Sequence, residues 1–464
     1  MTTERSADAP SAADRSLPAA VIVGVKLPGM DLQEFESGLE ELERLVTTLG
    51  YRPIGRVSQL REQLSPVAVL GDGKLKELAE LTGGSGRTGR APRKLAKARE
   101  RFRGEDDDEE EDDDGPEPAD ADEGEAKVAL VAVDHELSPT QLRNLERAAG
   151  TQVLDRAGVI IEIFSRRART REARLQVEMA RLSYLAPRVR ESPSGKERQA
   201  GRGAGEAAIE LDRRRIRDRL AELREQLAAV QREQDVRREK RRSLQRVALV
   251  GYTNAGKSSL MRALTGSAVE VEDRLFATLD TTVRALKPEV KPRVLVSDTV
   301  GFIKKLPHDL VASFKSTLDE ALEASLLLLV VDASDPNWEA ELEVTREVLR
   351  EIGSEGTPSH VVMNKVDRLD AATRETLEGL VPDAWFVSAL DPADVANVHG
   401  SIVKFFEAGF VTAELLIPYK KQGILSEMYD SGRVEKESYE EDGVHVSYRA
   451  SVGTIGHFRE KLST

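Results

Sequence analysis

The chain has 464 residues, no cysteine and a net charge of −14, and these facts already exclude several classes of protein. This length allows about three domains and at least one buried core. Without cysteine, neither a disulfide framework nor a thiolate metal site can form. The N-terminus is polar and no run approaches about 18 apolar residues, so we expect a cytoplasmic protein without a membrane span. The six histidines lack ligand-like spacing, and no zinc site is expected.

The charge is distributed unevenly along the chain. Fifteen carboxylates and no basic residue lie in 105–125, so the rest of the chain is close to neutral. Within 166–246, 24 basic residues stand against 13 acidic ones. A segment with this excess of positive charge favours a polyanionic partner such as nucleic acid.

The first part of the chain alternates strand-like and helical patterns. Apolar runs at 19–25, 67–70 and 128–133 predict strands, and the patterns at 32–49 and 138–149 predict helices. This alternation is typical of a small α/β unit with a parallel sheet.

The segment 82–126 interrupts this unit. It is rich in Gly and Arg and then almost purely acidic, so it cannot bury enough apolar surface to offset its ordering entropy, and we predict a disordered insertion. One interpretation is a solvated loop without a specific role. The other is that the basic residues of 87–103 pair with the acidic residues of 105–125 and so mask or release a binding face.

Two helical patterns follow the α/β unit. The first begins near Thr170, and the second, at 206–242, places six apolar residues on seven-residue spacing. The six are Ile209, Ile216, Leu220, Leu223, Leu227 and Val230. Because the Pro-, Ser- and Gly-rich loop 187–205 joins the two helices, we predict an antiparallel helical hairpin.

Arginines are concentrated on the polar side of the second helix. Candidate RNA-binding residues are Arg202 in the loop and Arg213, Arg214, Arg215, Arg217 and Arg219 on the helix. One interpretation is a solvated face with ion pairs to Asp212, Asp218 and Glu222. We favour RNA phosphate binding, because the arginines outnumber these local partners.

A phosphate-binding loop follows the strand predicted at 246–250. Its GxxxxGKS pattern lies between a strand and a helix, the context that this chemistry requires. Backbone N–H groups approach the phosphates, Lys257 neutralises the β- and γ-oxygens, and Ser258 supplies a Mg²⁺ ligand. The predicted contact residues are Gly251, Tyr252, Thr253, Asn254, Ala255, Gly256, Lys257, Ser258 and Ser259.

Guanine, rather than adenine, is indicated by the NKxD motif after the apolar run 360–363. The Asp367 carboxylate can accept hydrogen bonds from guanine N1–H and the exocyclic amine, and adenine offers no such pair of donors. The predicted base contacts are Asn364, Lys365, Val366 and Asp367, with Ser388, Ala389 and Leu390 in a second loop.

Two further segments have the order and chemistry of GTPase switches. In the first, Phe276 and Thr278 are predicted nucleotide contacts and Thr282 is the Mg²⁺ ligand, with Thr278 and Thr281 as competitors for the metal. In the second, Asp298 holds Mg²⁺ through water and the Gly301 N–H senses the γ-phosphate. Its predicted contacts are Asp298, Thr299, Val300 and Gly301.

The position that carries a water-orienting glutamine in many GTPases is Phe302. Phenylalanine cannot hydrogen-bond to water, so no catalytic side chain is assigned, and we expect slow hydrolysis until a partner completes the site. Asn254 is a candidate K⁺ ligand beside the phosphates, the alternative being a purely structural role in the loop.

These segments resemble the HflX family of translation-associated GTPases over nearly the whole chain. The resemblance is carried in the GTPase core by GYTNAGKSSL, LFATLDTTVR, DTVGFIKKLPHDLVASFKSTL and NKVD, and before it by GDGKLKEL, DHELSPTQLRNLE and IFSRRARTRE. It implies a GTPase that binds the large ribosomal subunit and its rRNA, is stimulated by the ribosome and, in several bacteria, splits ribosomes. The hairpin loop is then the part that reaches toward the peptidyl-transferase centre.

The resemblance also implies an order of domains. We predict an α/β multidomain protein, monomeric in solution, that binds GTP and GDP with Mg²⁺. Its predicted parts are a disordered N-terminus (1–18), an N-terminal α/β domain (19–168), a basic helical hairpin (169–244), a P-loop GTPase domain (245–408) and a small α+β C-terminal domain (409–464).

The hairpin loop departs from the family pattern, since GRGAGEAAIE at 201–210 lacks the usual proline and hydroxyl residue. Some relatives bind ATP in the N-terminal domain, but 71–74 here is more consistent with a turn before a helix. An RNA-modification GTPase and a switch with a protein partner remain the alternative functions.

Overall fold

The computed structural model describes residues 17–88, 128–188, 204–239, 244–267, 275–276, 282–304 and 320–463, with only the backbone of 204–209 and 234–239. The chain forms two compact units. The first consists of Met1–Arg167 and Val177–Glu222, and the second of Ala168–Gln176 and Leu223–Thr464. The predicted insertion lies almost entirely outside the described residues, as do Arg202 and the rest of the loop 189–203.

A four-stranded parallel sheet forms the centre of the first unit, which confirms the predicted sheet type. The strands lie in the order β2-β1-β3-β4. They are β1 (Ala19–Lys26), β2 (Arg52–Leu60), β3 (Val128–Val133) and β4 (Gln152–Asp155). The helices are α1 (Leu32–Thr48), α2 (Asp72–Thr82), α3 (Pro139–Ala149) and α4 (Arg156–Arg167).

Local signals explain where α1 and α3 begin and end. The Asp31 carboxylate accepts a hydrogen bond from the Gln33 N–H at the start of α1. Ser138 and Gln141 form a reciprocal capping box at the start of α3, and Gly150 ends that helix in the left-handed conformation. Both helices therefore follow the sequence prediction to within one residue.

The strand predicted at 67–70 is wrong. Val69 has a φ of 65°, outside the range of an extended L-residue, and the segment is a tight turn whose Val69 N–H donates to the Ser65 carbonyl. Ala68, Val69 and Leu70 are buried in the core of the unit, which explains their apolar character. The second strand of the sheet is instead β2.

Two helices follow the sheet along the chain, α5 (Arg171–Leu185) and α6 (Ala204–Glu239). Of the six apolar residues predicted to share one side of α6, Leu223 is buried and Ile216, Leu220, Leu227 and Val230 are half-buried, while the side chain of Ile209 lies outside the described part of the chain. The periodicity of this helix is confirmed, whereas the antiparallel hairpin remains a prediction.

A six-stranded sheet in the order β10-β9-β8-β5-β7-β6 dominates the second unit, and only β6 is antiparallel. The strands are β5 (Gln245–Gly251), β6 (Thr282–Ala285), β7 (Val294–Asp298), β8 (Leu326–Asp332), β9 (Ser359–Asn364) and β10 (Trp385–Val387). The described helices are α7 (Lys257–Thr265), α8 (Trp338–Ile352), α9 (Ala371–Leu380) and α10 (Pro392–Glu407).

Both faces of this sheet are buried. Val247 and Leu249 of β5 point into one apolar cluster, and Ala248 and Val250 into the other. A strand covered on both faces reads as a continuous apolar run, which is why β5 was recognisable in the sequence.

An antiparallel sheet in the order β11-β13-β12 ends the chain. It comprises β11 (Phe410–Ile417), β12 (Arg433–Glu440) and β13 (Gly443–Ser451), with α11 (Gly423–Ser431) and α12 (Val452–Ser463). The Tyr448 and Phe458 rings meet edge to face at 5.7 Å in its core. The predicted α+β character is confirmed. None of the helices in the described ranges is long and apolar enough to cross a membrane.

Candidate nucleotide site

The phosphate loop connects β5 to α7, and three of its residues have a positive φ. The angles are 151° for Gly251, 61° for Asn254 and 92° for Gly256. A Cβ on Gly251 would lie 2.1 Å from the Val330 carbonyl oxygen, so only glycine fits there. The GxxxxG spacing thus has a steric cause in this chain, and Asn254 places its exposed side chain at the outer turn of the loop.

Lys257 begins α7 and folds back over the loop. Its Nζ donates to the carbonyl oxygens of Gly251 (3.0 Å) and Tyr252 (2.7 Å). Burial and, to a smaller extent, the charge of Lys365 lower the pKa of Lys257 from 10.5 to about 8, against the opposing effect of Asp298 and Glu341. The protein therefore holds a poorly solvated cation where phosphate charge is expected.

The motif predicted to specify guanine and the second predicted base-contacting loop lie at the carboxyl ends of β9 and β10. Asn364 joins two loops, because its Nδ2 donates to the Ala255 carbonyl (2.8 Å) and its Oδ1 accepts from the Ala389 N–H (3.1 Å). The Ser388 hydroxyl donates to Asp367 Oδ1 at 2.6 Å, which fixes the orientation of this carboxylate. The phosphate loop and the two predicted base-contacting loops are therefore one hydrogen-bonded structure.

Two carboxylates that the sequence analysis missed support these loops. Asp332, at the end of β8, accepts from Lys365 Nζ at 2.7 Å. Asp394 accepts from the Ser388 N–H at 2.8 Å. Asp332 ends the apolar run 326–331, and a carboxylate at the carboxyl end of a parallel strand is the signal that could have identified it.

The predicted Mg²⁺ ligands converge in the structure. The Ser258 hydroxyl donates to Asp298 Oδ2 at 2.6 Å, and Thr282 lies directly opposite Asp298 in the register of β6 and β7. The Ser258 hydroxyl and the buried Asp298 carboxylate are oxygen donors of the kind that suits Mg²⁺, and Thr282 brings a third such residue to the neighbouring strand position. Thr278 and Thr281 lie outside the described residues.

The start of the second switch is bonded to the phosphate loop. Phe302 N–H donates to the Gly251 carbonyl (3.1 Å), and Thr253 N–H donates to the Phe302 carbonyl (2.8 Å). The Phe302 side chain is 2% exposed, in the apolar cluster with Val250 and Leu329. Backbone hydrogen bonds and packing thus hold Phe302 in a position where its side chain cannot orient water.

The other predicted contacts have the following positions. Thr299 Oγ1 donates to the Leu249 carbonyl (2.8 Å), and the Thr253 hydroxyl is buried without a hydrogen-bond partner among the described residues. Phe276 is buried with a φ of 55°, while Leu390 is exposed at the outer end of the base-contacting loop. Val300 and Val366 are buried, and Ser259 is half-buried.

The arginines of α6 have more acidic partners than predicted. The pairs are Arg213–Glu210 (4.0 Å), Arg214–Asp218 (3.9 Å), Arg215–Asp212 (3.5 Å), Arg217–Glu210 (2.9 Å), Arg219–Glu178 (2.8 Å) and Arg219–Glu222 (2.9 Å). Five carboxylates therefore face the five arginines, and two of them, Glu178 and Glu210, were not counted in the sequence analysis. The first three pairs are long, and Arg214 and Arg215 are exposed, whereas Arg213 is half-buried.

Comparisons with known proteins identify relatives of the chain. Three family models match the chain: the N-terminal region of GTP-binding GTPases at 36–87 and 120–165, their middle region at 167–241, and the 50S ribosome-binding GTPase at 246–365. The GTPase HflX of Gluconacetobacter diazotrophicus is 59% identical over 448 residues, covering 96% of this chain and 98% of the relative. That of Spirochaeta thermophila is 44% identical, covering 71% and 82%.

A solved structure of a Sulfolobus solfataricus GTP-binding protein in complex with GDP is also similar, at 21% identity and a TM-score of 0.42, covering 83% of this chain and 99% of that one.

The fold and the nucleotide site define a P-loop GTPase, an enzyme that hydrolyses GTP. Within that class, the identity to curated relatives over almost the entire length places the chain in the HflX family of GTPases.

Proposed function

We propose that this GTPase binds the large ribosomal subunit in the cytoplasm, as a monomer, and dissociates or remodels ribosomes, with hydrolysis stimulated by the ribosome. The observation that carries this proposal is the position of Phe302. Its side chain is buried and its backbone is bonded to the phosphate loop, so it cannot orient the attacking water. A GTPase with this arrangement depends on a partner for rapid hydrolysis.

The nature of the partner is suggested by two observations. The family model matching 246–365 describes 50S ribosome-binding GTPases, and α6 carries the exposed residues Arg214 and Arg215 in long ion pairs. Exposed ion pairs contribute only about 0–1 kcal/mol each, so RNA phosphates can compete for these guanidinium groups.

Seven of the predicted site residues have a stated role in the proposal. Lys257 binds the β- and γ-phosphates, Asp367 and Asn364 read guanine, and Ser258, Thr282 and Asp298 hold Mg²⁺, the last through water. Mg²⁺ neutralises developing charge on the phosphates. Asn254, with its side chain exposed beside the phosphate loop, is the proposed K⁺ ligand.

Purified large subunits test the proposal directly. We expect them to raise kcat for GTP hydrolysis by about two orders of magnitude or more, whereas small subunits, as matched particles, leave it unchanged. If large and small subunits gave equal rates of GTP hydrolysis, or if neither raised the rate above the basal value, the alternative of a switch with a protein partner would be favoured. Sucrose-gradient profiles of intact ribosomes with GTP then measure splitting separately.

A further inference from the structure

A side chain of the phosphate loop extends the contact between this loop and the second switch. Tyr252 is 5% exposed, and its hydroxyl accepts a hydrogen bond from the Lys304 N–H at 2.8 Å. Tyr252 and Phe302 also form a parallel β-bridge. The backbone hydrogen bonds hold the switch at Phe302, and the Tyr252 hydroxyl holds it two residues further on, at Lys304.

Gly301 lies immediately before Phe302, the first residue held by these hydrogen bonds. A Cβ at Gly301 would lie 2.9 Å from Thr253 Cα and 3.2 Å from Lys257 Nζ, so the switch backbone runs directly over the phosphate-binding groups. A group that senses the γ-phosphate must be held within a few tenths of an ångström of its bonding position. The bonds that hold the segment 301–304 there include two backbone bonds of Phe302 and the bond that the Lys304 N–H donates to the Tyr252 hydroxyl.

We propose that Tyr252 is a positioning residue that sets the discrimination between GTP and GDP by holding residues 301–304 against the phosphate loop. This role rests on the proposed site, in which the Gly301 N–H binds the γ-phosphate. The Tyr252 hydroxyl acts through its hydrogen bond from the Lys304 N–H. Only a nucleotide with a γ-phosphate benefits from this positioning.

The substitution Tyr252→Phe removes the hydroxyl and keeps the buried ring. We expect the affinity for a non-hydrolysable GTP analogue, measured by fluorescence titration with saturating Mg²⁺, to fall about three- to tenfold, the usual effect of one hydrogen bond. The affinity for GDP should stay within about twofold. Tyr439→Phe is the matched control, since it removes an exposed phenol that donates to Glu437 at 3.1 Å, and it should change neither affinity.

If the affinities for the GTP analogue and for GDP fell equally, Tyr252 would only support the phosphate loop and the proposed role would be overturned. If neither affinity fell, the proposed role would be overturned as well. If the wild-type protein bound neither nucleotide, the site assignment itself would fail. Hydrogen exchange in the wild type gives a second measurement that needs no variant. The Lys304 amide should exchange more slowly with the GTP analogue than with GDP, and equally fast exchange with both would contradict the proposal.

Discussion

Lys257 is the buried cation of the nucleotide site, with a pKa lowered to about 8 mainly by burial. Phosphates bind the ammonium form, and above the lowered pKa the free protein increasingly carries a neutral amine. Nucleotide binding must then take up a proton. Affinity therefore falls as the pH rises through about 8, by at most tenfold per pH unit for a single group.

We predict that the affinity for GDP, measured by fluorescence titration, is lower at pH 9 than at pH 7, with the decline concentrated above pH 8. Lys257→Arg is the control, because a guanidinium stays protonated throughout this range. The variant should bind more weakly but with little change between the two pH values. A wild-type affinity that stays constant to pH 9 would show that Lys257 keeps its proton in the site.

Asp367 presents a carboxylate that Ser388 orients through its hydroxyl. In Asp367→Asn, an amide N–H replaces an acceptor, so guanine loses a partner for its donors, whereas the C2 carbonyl of xanthine gains one. We expect GTP to bind at least about tenfold more weakly and xanthosine triphosphate to bind more tightly, in competition titrations against labelled GDP. An unchanged order of preference would mean that Asp367 does not read the base.

The elements around the nucleotide site were predictable because their signals are local. The run 246–250 is apolar throughout, and its strand leads into glycines whose positions are fixed by contacts with Val330 and Asn364. The strands before Asn364 and Ser388 end where the motifs begin. The order of motifs along the chain therefore determines which loops meet at the carboxyl edge of the sheet.

Elements without local signals were not predictable. The strand β2 has mixed polarity and contains Pro53 and Gly55, as befits the edge of a sheet, while the apolar run 67–70 fills the core from a turn. Contacts between residues distant in sequence could not be predicted either. Arg219 pairs with Glu178, 41 residues away, and Lys304 bonds to Tyr252, 52 residues away, so only the folded chain shows them.

The distribution of charge over the whole molecule decides how it meets RNA. The carboxylates of 105–125 account for the entire net charge of −14, while 166–246 is strongly basic. On α6, each arginine from 213 to 219 has a carboxylate within 4.0 Å. RNA must therefore displace the carboxylates that pair with these arginines, and this costs little free energy for the longer pairs. The affinity for RNA should depend steeply on salt concentration.

The final prediction tests this surface with the triple charge reversal Arg213→Glu, Arg214→Glu and Arg217→Glu. Each lost phosphate contact should reduce the slope of log affinity against log salt by about one. We therefore expect weaker co-sedimentation with large subunits, a slope lower by about two to three, and a parallel loss of stimulated hydrolysis. Basal hydrolysis should not change, because none of the three arginines belongs to the proposed nucleotide site.

The matched control reverses three exposed arginines on helices of the GTPase domain, Arg346, Arg350 and Arg374, which also pair with glutamates. This variant has the same net charge as the first, so a general repulsion from RNA would weaken both variants alike. A local contact weakens only the α6 variant. If both variants kept wild-type affinity and salt slope, the arginines of α6 would form a solvated face, and the ribosome would have to be bound through other parts of the chain.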